Sequence, residues 1–165
     1  MASPTNLPAT FTAGQVLTSA QTNALRGAFR VLQVISPTPT TTETVSTSTT
    51  FVDTTLTATI TPQSTSSKIL VLVNQNSCFK TGNTATTLRL LRAGTLISTI
   101  AVNAGLTSTV LDLNFGSLST CFLDSPATTS AIIYKTQFNN VANTGQAVMQ
   151  YASAASTITL MEISA

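Results

Sequence analysis

The sequence contains no histidine and no tryptophan, and only 7% of its 165 residues are charged. Without histidine, neither a Ser-His-Asp triad nor a Cys-His pair can form. The sequence has no glycine-rich loop of the kind that holds phosphate groups. Its five acidic residues are isolated from one another, and only a pair brought together by folding would form a glycosidase-like dyad. We therefore expect no enzymatic activity, no catalytic residues, no cofactor and no metal ion.

The acidic residues Asp53 and Asp124 are expected in loops, where an aspartate can hydrogen-bond its own backbone. The seven cations are scattered along the chain and give a net charge of +2. Nucleic-acid binding requires a basic stripe, so no nucleic-acid partner is expected. No run approaches the roughly 18 apolar residues of a membrane span. Residues 1–10 have neither a basic nor an apolar signal-peptide region.

The two cysteines, Cys78 and Cys121, are far apart and each is followed by phenylalanine. We expect both to lie in strands as small buried apolar groups, since free cysteine is among the most buried residue types. A disulfide between neighbouring strands is the alternative. A metal site is excluded for these thiols, because two of them without histidine cannot complete a tetrahedral shell.

The first 30 residues differ in character from the rest of the chain. Residues 1 to about 17 contain Pro4, Pro8 and Gly14 without periodicity, which indicates an extended arm. Residues 18–29 predict a short helix, with Thr18 as the N-cap and Gln21 completing a capping box. An interior glycine, Gly27, weakens this helix by up to about 1 kcal/mol relative to alanine. Such a helix needs a surface to pack against.

From Val31 onward the pattern indicates β-structure throughout. Leu56, Ala58 and Ile60 alternate with threonines, which is typical of a half-buried strand. The unbroken apolar run 69–73 predicts a central strand covered on both faces, and Ala93-Gly94 predicts a tight hairpin turn. The predicted strands cover residues 31–35, 45–52, 55–60, 69–73, 88–92, 95–100, 110–115, 118–123, 132–138, 147–151 and 156–163.

Short strands at regular spacing with turn signals between them are typical of an all-β fold. We predict an antiparallel β-sandwich or jelly roll, preceded by an N-terminal arm and one short helix. Residues 1–30 form the arm and helix, and residues 31–165 form the β-sandwich domain. A β-solenoid is the competing architecture, but the chain shows no fixed repeat period.

Serine and threonine make up roughly a third of the chain, well above ordinary usage. The most biased stretch, residues 40–50, is interpreted as a solvated edge strand with its entry loop. An intersubunit contact is a second interpretation, because short hydroxyl side chains pack closely without burying charge. Ice binding through Thr-x-Thr rows is disfavoured, because the threonines are irregularly spaced.

Several segments resemble structural proteins of tailed bacteriophages. Residues 11–23 (FTAGQVLTSAQTN) are similar to a segment near the start of phage tail and fibre proteins. Residues 31–35, 49–53, 60–71, 88–97 and 156–163 are similar to a β-domain found in phage, notably cyanophage, structural proteins. This resemblance implies a virion component built as a trimer of β-sandwiches, without catalytic residues. Fibre proteins of this type usually carry shaft segments, which this sequence does not show.

The leading hypothesis is therefore a homotrimeric capsid decoration (cement) protein on the virion surface, which stabilises the head by bridging capsomers. Its partners would be itself and the major capsid protein or tail proteins. Four residues of the arm and helix are predicted to anchor it to a partner or neighbouring subunit: Phe11, Val16, Leu25 and Phe29. Alternatively, the helix only covers one end of its own sandwich. Val148 and Met149 are predicted to lie at the trimer contact.

The alternative hypothesis is a short tail-fibre, adsorption or adaptor protein that touches the host surface. Its contact loops would be residues 74–87 and 138–145, which are rich in Asn, Gln and small polar residues. A non-viral carbohydrate-binding or adhesion module is a third hypothesis. The shortage of aromatic residues, with only Tyr134 and Tyr151 as tyrosines, disfavours it.

Overall fold

Ten β-strands run from Val31 to Ile163 in the computed structural model, which describes residues 14, 16, 18–19, 31–142 and 144–164. A single turn of 3-10 helix, Tyr151–Ser153, precedes the last strand. The strands are β1 (Val31–Ile35), β2 (Thr44–Ser46), β3 (Val52–Ile60), β4 (Lys68–Thr81), β5 (Thr86–Arg92), β6 (Thr95–Ala104), β7 (Leu113–Asp124), β8 (Ile132–Asn140), β9 (Gln146–Met149) and β10 (Thr157–Ile163).

These strands form two antiparallel sheets that pack face to face, so the predicted all-β sandwich of jelly-roll type is confirmed. The large sheet has the order β1-β10-β4-β9-β2, with β7 paired to the other side of β4. The small sheet has the order β3-β8-β5-β6. The short strand β2 lies at the end of the large sheet, which confirms an edge strand within residues 40–50.

The core lies between the inner faces of the two sheets. Along β3, Leu56, Ala58 and Ile60 are buried while Thr57 and Thr59 are exposed, as the alternation predicts. Along β8, the alternate residues Ile132, Tyr134, Thr136 and Phe138 are likewise buried. The main core cluster contains Leu56, Ala58, Ile60, Ile69, Val71, Val73, Leu90, Ile132, Tyr134, Ile158 and Leu160.

The hairpin between β5 and β6 turns at the predicted position. Ala93 and Gly94 both have positive φ, at 47° and 84°, and Arg92 pairs with Thr95 across the turn. Two positive φ angles in a two-residue loop are the mark of a type I′ turn, whose twist matches that of the flanking strands. The structure thus confirms both the turn and the role of glycine in it.

Strand β4 is longer than predicted because it continues through a β-bulge. Ser77 has a φ of 47°, and the pairing register with β7 shifts between Gln75 and Cys78. A bulge inserts one extra residue into the alternation, so Cys78 faces the core instead of solvent. Opposite Cys78 stands Gly116, whose φ is 89°. Gly116 therefore bends one continuous strand, β7, where the sequence predicted a turn between two strands.

Two further expectations are corrected. Residues 45–52 are not one strand, because the chain bends at 48–50 between β2 and β3. The apolar run at 69–73 is covered on one face only: Leu72 is exposed, and Leu70 is half-buried. The run lies in the centre of the sheet, but among the described residues of the single chain nothing packs over the side of it that faces away from the core. The predicted helix at 18–29 lies outside the described residues except for Thr18 and Ser19.

Replacing Gly145 with alanine is expected to destabilise the fold more than the same change at Gly94. Both glycines have positive φ, so each alanine meets a backbone strain of about 1 kcal/mol. At Gly145 the new Cβ would also overlap the carbonyl oxygen of Thr81, whereas at Gly94 it meets open space. Urea unfolding should show Gly145→Ala losing at least about 2 kcal/mol more. Equal losses would contradict the close approach of these two chain segments.

Candidate interaction surface

An exposed row of apolar side chains crosses the large sheet on the side facing away from the core, which we call the outer face. Val34, Met161, Leu70 and Leu123 are directly opposite one another on β1, β10, β4 and β7. Val34 is 53% exposed and Leu123 is 55% exposed. Opposite residues on adjacent strands share a face, so the four side chains form one continuous row.

The outer face becomes more polar in the direction from Leu70 to Asn74 on β4. The next row contains Thr159, Leu72 and Cys121, and the row after it contains Thr157, Asn74 and Ser119. These residues line a shallow groove in the middle of the sheet. The face therefore joins an apolar end to a groove lined by short hydroxyl and amide side chains. Exposed contiguous apolar surface of this kind marks interaction sites in soluble proteins.

One border of the outer face is an open sheet edge. Strand β7 is 12 residues long and, among the described strands, pairs only with β4. An edge strand presents unpaired N–H and C=O groups to which another chain can add. The outer face and this edge meet at Leu123 and Cys121, so one partner could contact both.

The outer side of the small sheet is different, because it carries a network of paired charged and polar groups besides exposed apolar residues such as Ile133. The Lys135 ammonium lies 2.8 Å from the Asp53 carboxylate, and Gln137 donates to the same carboxylate at 2.6 Å. Arg89 donates to Gln137 and lies over the ring of Phe51, 3.6 Å from its centre. Groups paired with one another in this way form a solvated surface. This contrast singles out the large sheet as the candidate site.

Asp124 is not a loop residue, which corrects the sequence expectation. It ends β7 and is buried, with its carboxylate accepting two hydrogen bonds from Arg92 at 2.8 and 2.9 Å. The Tyr134 hydroxyl donates to the same carboxylate at 2.6 Å. Burial, followed by the hydrogen bond and charge of Asp124, raises the pKa of Tyr134. Because Arg92 and Tyr134 belong to the small sheet, this cluster links the two sheets.

Asp53 is likewise a strand residue, in β3, rather than a loop residue. The hydrogen bond from Lys135 is the largest influence on its carboxyl group and lowers its pKa, while partial burial opposes that effect. Its side chain remains half exposed, so solvent screens the ion pair. The sequence missed both aspartate roles because their partners lie 32 or 82 residues away along the chain.

Glu162 is fully buried on the inner side of β10 and joins three parts of the fold. Its carboxylate accepts hydrogen bonds from Gln33 Nε2 at 2.6 Å and from the Gln63 backbone N–H at 2.7 Å. Burial raises the pKa of this carboxyl group, but the donors together outweigh it, so the pKa lies below its usual range. Glu162 therefore ties β1 and the loop before β4 to β10.

Each of the five carboxylates is engaged in a structural contact, so none is left beside another as an acid-base pair. The contacts are Glu43 with the Ala152 N–H, Asp53 with Lys135, Asp112 with the Gly82 N–H, Asp124 with Arg92, and Glu162 with Gln33. A glycosidase mechanism needs two carboxylates free to act on one bond. The described arrangement provides no such pair.

Ser77 and Lys80 have the S-x-x-K spacing at which a lysine can activate a serine on a helix. Here both residues lie on strand β4, and each is occupied elsewhere. The Lys80 ammonium is buried against the Gly82 carbonyl, at 3.0 Å, and the Thr107 hydroxyl, at 2.6 Å. The Ser77 hydroxyl accepts from Asn114 at 2.9 Å. The spacing therefore does not create a nucleophile in this fold.

The two cysteines are free and lie in different environments. Cys78 is buried, and burial raises the pKa of its thiol to about 12, with a backbone hydrogen bond from Leu118 opposing the shift. Cys121 is exposed on the outer face, beside Leu72. The expectation that both are buried is correct for Cys78 and wrong for Cys121, because the outer face has no cover within the described chain.

Of the six sequence-predicted contact residues, the structure describes Val16, Val148 and Met149. Phe11, Leu25 and Phe29 lie outside the described residues, while Val16 is described and is 86% exposed. Val148 and Met149 lie in β9 and are both buried within the single chain. Met149 packs in the second core cluster, 3.6 Å from the Cys78 sulfur. A trimer contact through either side chain stays a prediction that this burial does not favour.

The proposed host-contact loops are shorter than predicted. Residues 74–81 belong to β4, 86–87 to β5 and 138–140 to β8, which leaves 82–85, 141–142 and 144–145 as the described loop residues. These two loops meet at one end of the sandwich, where the Thr144 hydroxyl donates to the Asn83 carbonyl at 2.7 Å. Asn140 also donates to the Gly145 carbonyl at 2.9 Å. The loop end is therefore held by its own hydrogen bonds.

Among the described residues, no group of three or more His, Cys, Asp or Glu side chains is placed to hold a metal ion. A search of the same residues finds no helix with the length and apolar character needed to span a membrane.

No known family model matches the chain, and no curated protein matches it. Among solved structures, a mutant VP2 protein of infectious bursal disease virus in T=1 particles aligns over 81% of this chain, at 15% identity and a TM-score of 0.40. The Gt strain of that virus aligns over 81% at 16% identity and 0.40, and a VP2 subviral particle over 80% at 16% identity and 0.38.

The chain spans only 36% to 37% of the length of these viral proteins. The sandwich fold rests on the strands and pairing described above.

Replacing Glu162 with glutamine is expected to destabilise the protein at neutral pH by about 2 kcal/mol, because hydrogen bonds to a buried charge are lost. A lowered folded-state pKa means that the carboxylate stabilises the fold above its unfolded pKa and loses this effect as pH falls through the folded pKa. Thermal unfolding measured from pH 7 to pH 3 should therefore show a difference in Tm between the wild type and the variant that becomes smaller as the pH falls.

Asp53→Asn is the matched control, because the Asp53 carboxyl pKa is also lowered but the side chain is half exposed. Its effect on stability should be well below that of Glu162→Gln. Similar losses in the two variants, or a gap that widens in acid, would contradict the assigned role of Glu162.

Proposed function

We propose that this chain is a non-enzymatic structural protein of a virus particle, which assembles as a homotrimer and decorates the capsid by bridging capsomers. The observation that carries the proposal is the exposed apolar row on the outer face, from Val34 to Leu123. A row of this kind is stable in water when another surface covers it. The resemblance of residues 11–23 to phage tail and fibre segments supplies the virion context.

The distribution of charge supports association over catalysis. The acidic groups are tied to cations or backbone amides, and the outer face carries one charged side chain, Lys68, whose ammonium donates to the Ser125 hydroxyl at 2.7 Å. Desolvating charged groups is a large penalty in forming an interface. A partner that covers this face desolvates little charge. A bridging protein adds this binding free energy to the assembled particle only and so stabilises it.

A short tail-fibre or adsorption protein remains the second candidate, and one observation favours it. The loop residues 82–85 and the described residues 141–142 and 144–145 converge at one end of the sandwich, where Asn83 and Thr144 are both exposed. A cluster of polar loops at one end of a β-sandwich is a common site for recognition. Binding of the purified protein to host cells, abolished by changes in these loops, would favour this function.

The number of copies on a purified particle distinguishes the two functions. Repeated icosahedral sites predict a count on the order of hundreds, in a multiple of three, relative to the major capsid protein. Quantitative mass spectrometry of purified particles measures this ratio directly. A handful of copies would indicate a tail location, and none would contradict a virion role.

Leu123→Lys is expected to weaken self-association by about tenfold or more, because the change places a charge in the apolar row. Ile133→Lys is the matched control. The exposed fraction of Ile133, 49%, is similar to that of Leu123, but Ile133 lies on the outer side of the small sheet. Sedimentation velocity should show a trimer for wild type and the control, and a concentration-dependent loss of trimer for Leu123→Lys. Equal behaviour of both variants would contradict a contact at the outer face.

A further inference from the structure

The apolar end of the outer face lies where the chain enters the large sheet. Val31, the first residue of β1, pairs with Ile163 on this face, next to the row that contains Val34 and Met161. The 30 residues that precede Val31 therefore leave the sandwich at the border of the uncovered surface. The point at which this segment joins the sheet is thus next to the surface that needs a cover.

The composition of residues 1–30 matches that of the outer face. The segment contains seven large apolar residues, among them Phe11, Val16, Leu25 and Phe29, and its only charged side chains are Arg26 and Arg30. The two acids on strands β7 and β10, Asp124 and Glu162, face inward and not toward the outer face. Contact between the segment and the face would thus bury apolar groups without burying an ion pair.

Val16 is the one predicted anchor residue among the described residues of the segment, and it does not pack against the outer face of its own copy, because it is 86% exposed. Gly14, Val16, Thr18 and Ser19 are all exposed in the single chain. An extended segment of 30 residues reaches on the order of 100 Å, whereas a 135-residue domain has a radius of gyration of about 14 Å. Even with a helix in it, the segment is long enough to reach an adjacent copy.

We propose that residues 11–29 of one copy lie across the outer face of the large sheet of a neighbouring copy, with their apolar side chains over Val34, Leu70 and Leu123. This exchange of N-terminal segments rests on one part of the proposed function, namely that copies of the chain associate with one another. It names the occupant of the candidate surface and assigns the segment a role in self-assembly. In this arrangement each copy both supplies a segment and receives one.

Cys121 reports on this contact, because it lies on the outer face one row from Leu70 and Leu123. In the associated full-length protein, a maleimide should label Cys121 on the order of tenfold more slowly than an uncovered thiol, since coverage restricts access. The reference thiol is introduced by Thr57→Cys in a Cys121→Ser background; Thr57 is exposed on the small sheet. Cys78 is buried and should remain unlabelled in both proteins.

Removing the apolar character of the segment should uncover Cys121. The full-length variant with Phe11→Ser, Leu25→Ser and Phe29→Ser is expected to label at the rate of the reference thiol and to lose the trimer. Protection that persists in this variant would overturn the proposal and indicate that two sheet faces cover each other directly. Circular dichroism establishes that the sandwich of the variant is folded.

Cross-linking tests the same contact while Phe11, Leu25 and Phe29 are kept. Val16→Cys, treated with a short bismaleimide, should join to Cys121 of a second copy and give a species of doubled mass on a denaturing gel. The control carries Val16→Cys, Cys121→Ser and Thr57→Cys, and should give no such species. A cross-link found only within one chain, or equal cross-linking of the control, would overturn the exchange between copies.

These outcomes are separable from the proposed function. If sedimentation shows a trimer while Cys121 labels at the rate of the reference thiol, the segment exchange is wrong and trimeric assembly stands. If the protein is monomeric and absent from purified particles, the proposed function itself fails.

Discussion

Strand β4 is the element on which the rest of the structure depends, because it pairs with β7 along one side and with β10 and β9 along the other. Its alternation decides which side chains of the large sheet enter the core. The bulge at Ser77 changes that alternation partway along the strand and turns Cys78 inward, against Met149. A shift of one residue would instead move the whole apolar set to the other face.

Fold class, the β5–β6 hairpin and the buried faces of β3 and β8 can be predicted from the sequence, because each depends on local alternation or on one turn. The bulges cannot, since Gly116 has the same sequence signature as a turn. The outer face was misjudged for a related reason. The run at 69–73 is apolar on both sides, and the pattern of one strand does not show whether a second layer covers it.

The candidate site was beyond sequence reasoning because it is made by register between distant strands. Val34 and Leu123 meet Leu70 only through the pairing of β1, β10, β4 and β7. The buried partners of Asp124 and Glu162 are likewise far away in sequence. One signal was available: Leu118, Leu123 and the intervening Cys121 indicate a strand with apolar groups on both sides, which implies exposed apolar area on a sandwich.

The bend that Gly116 introduces into β7 has a consequence for how copies of the chain add to one another. A straight edge of 12 residues would offer a uniform template on which further strands could stack without limit. The register shifts at Gly116 interrupt that edge, so an added strand could not pair evenly along its whole length. A bent edge of this kind is a poorer template for open-ended strand addition than a straight one.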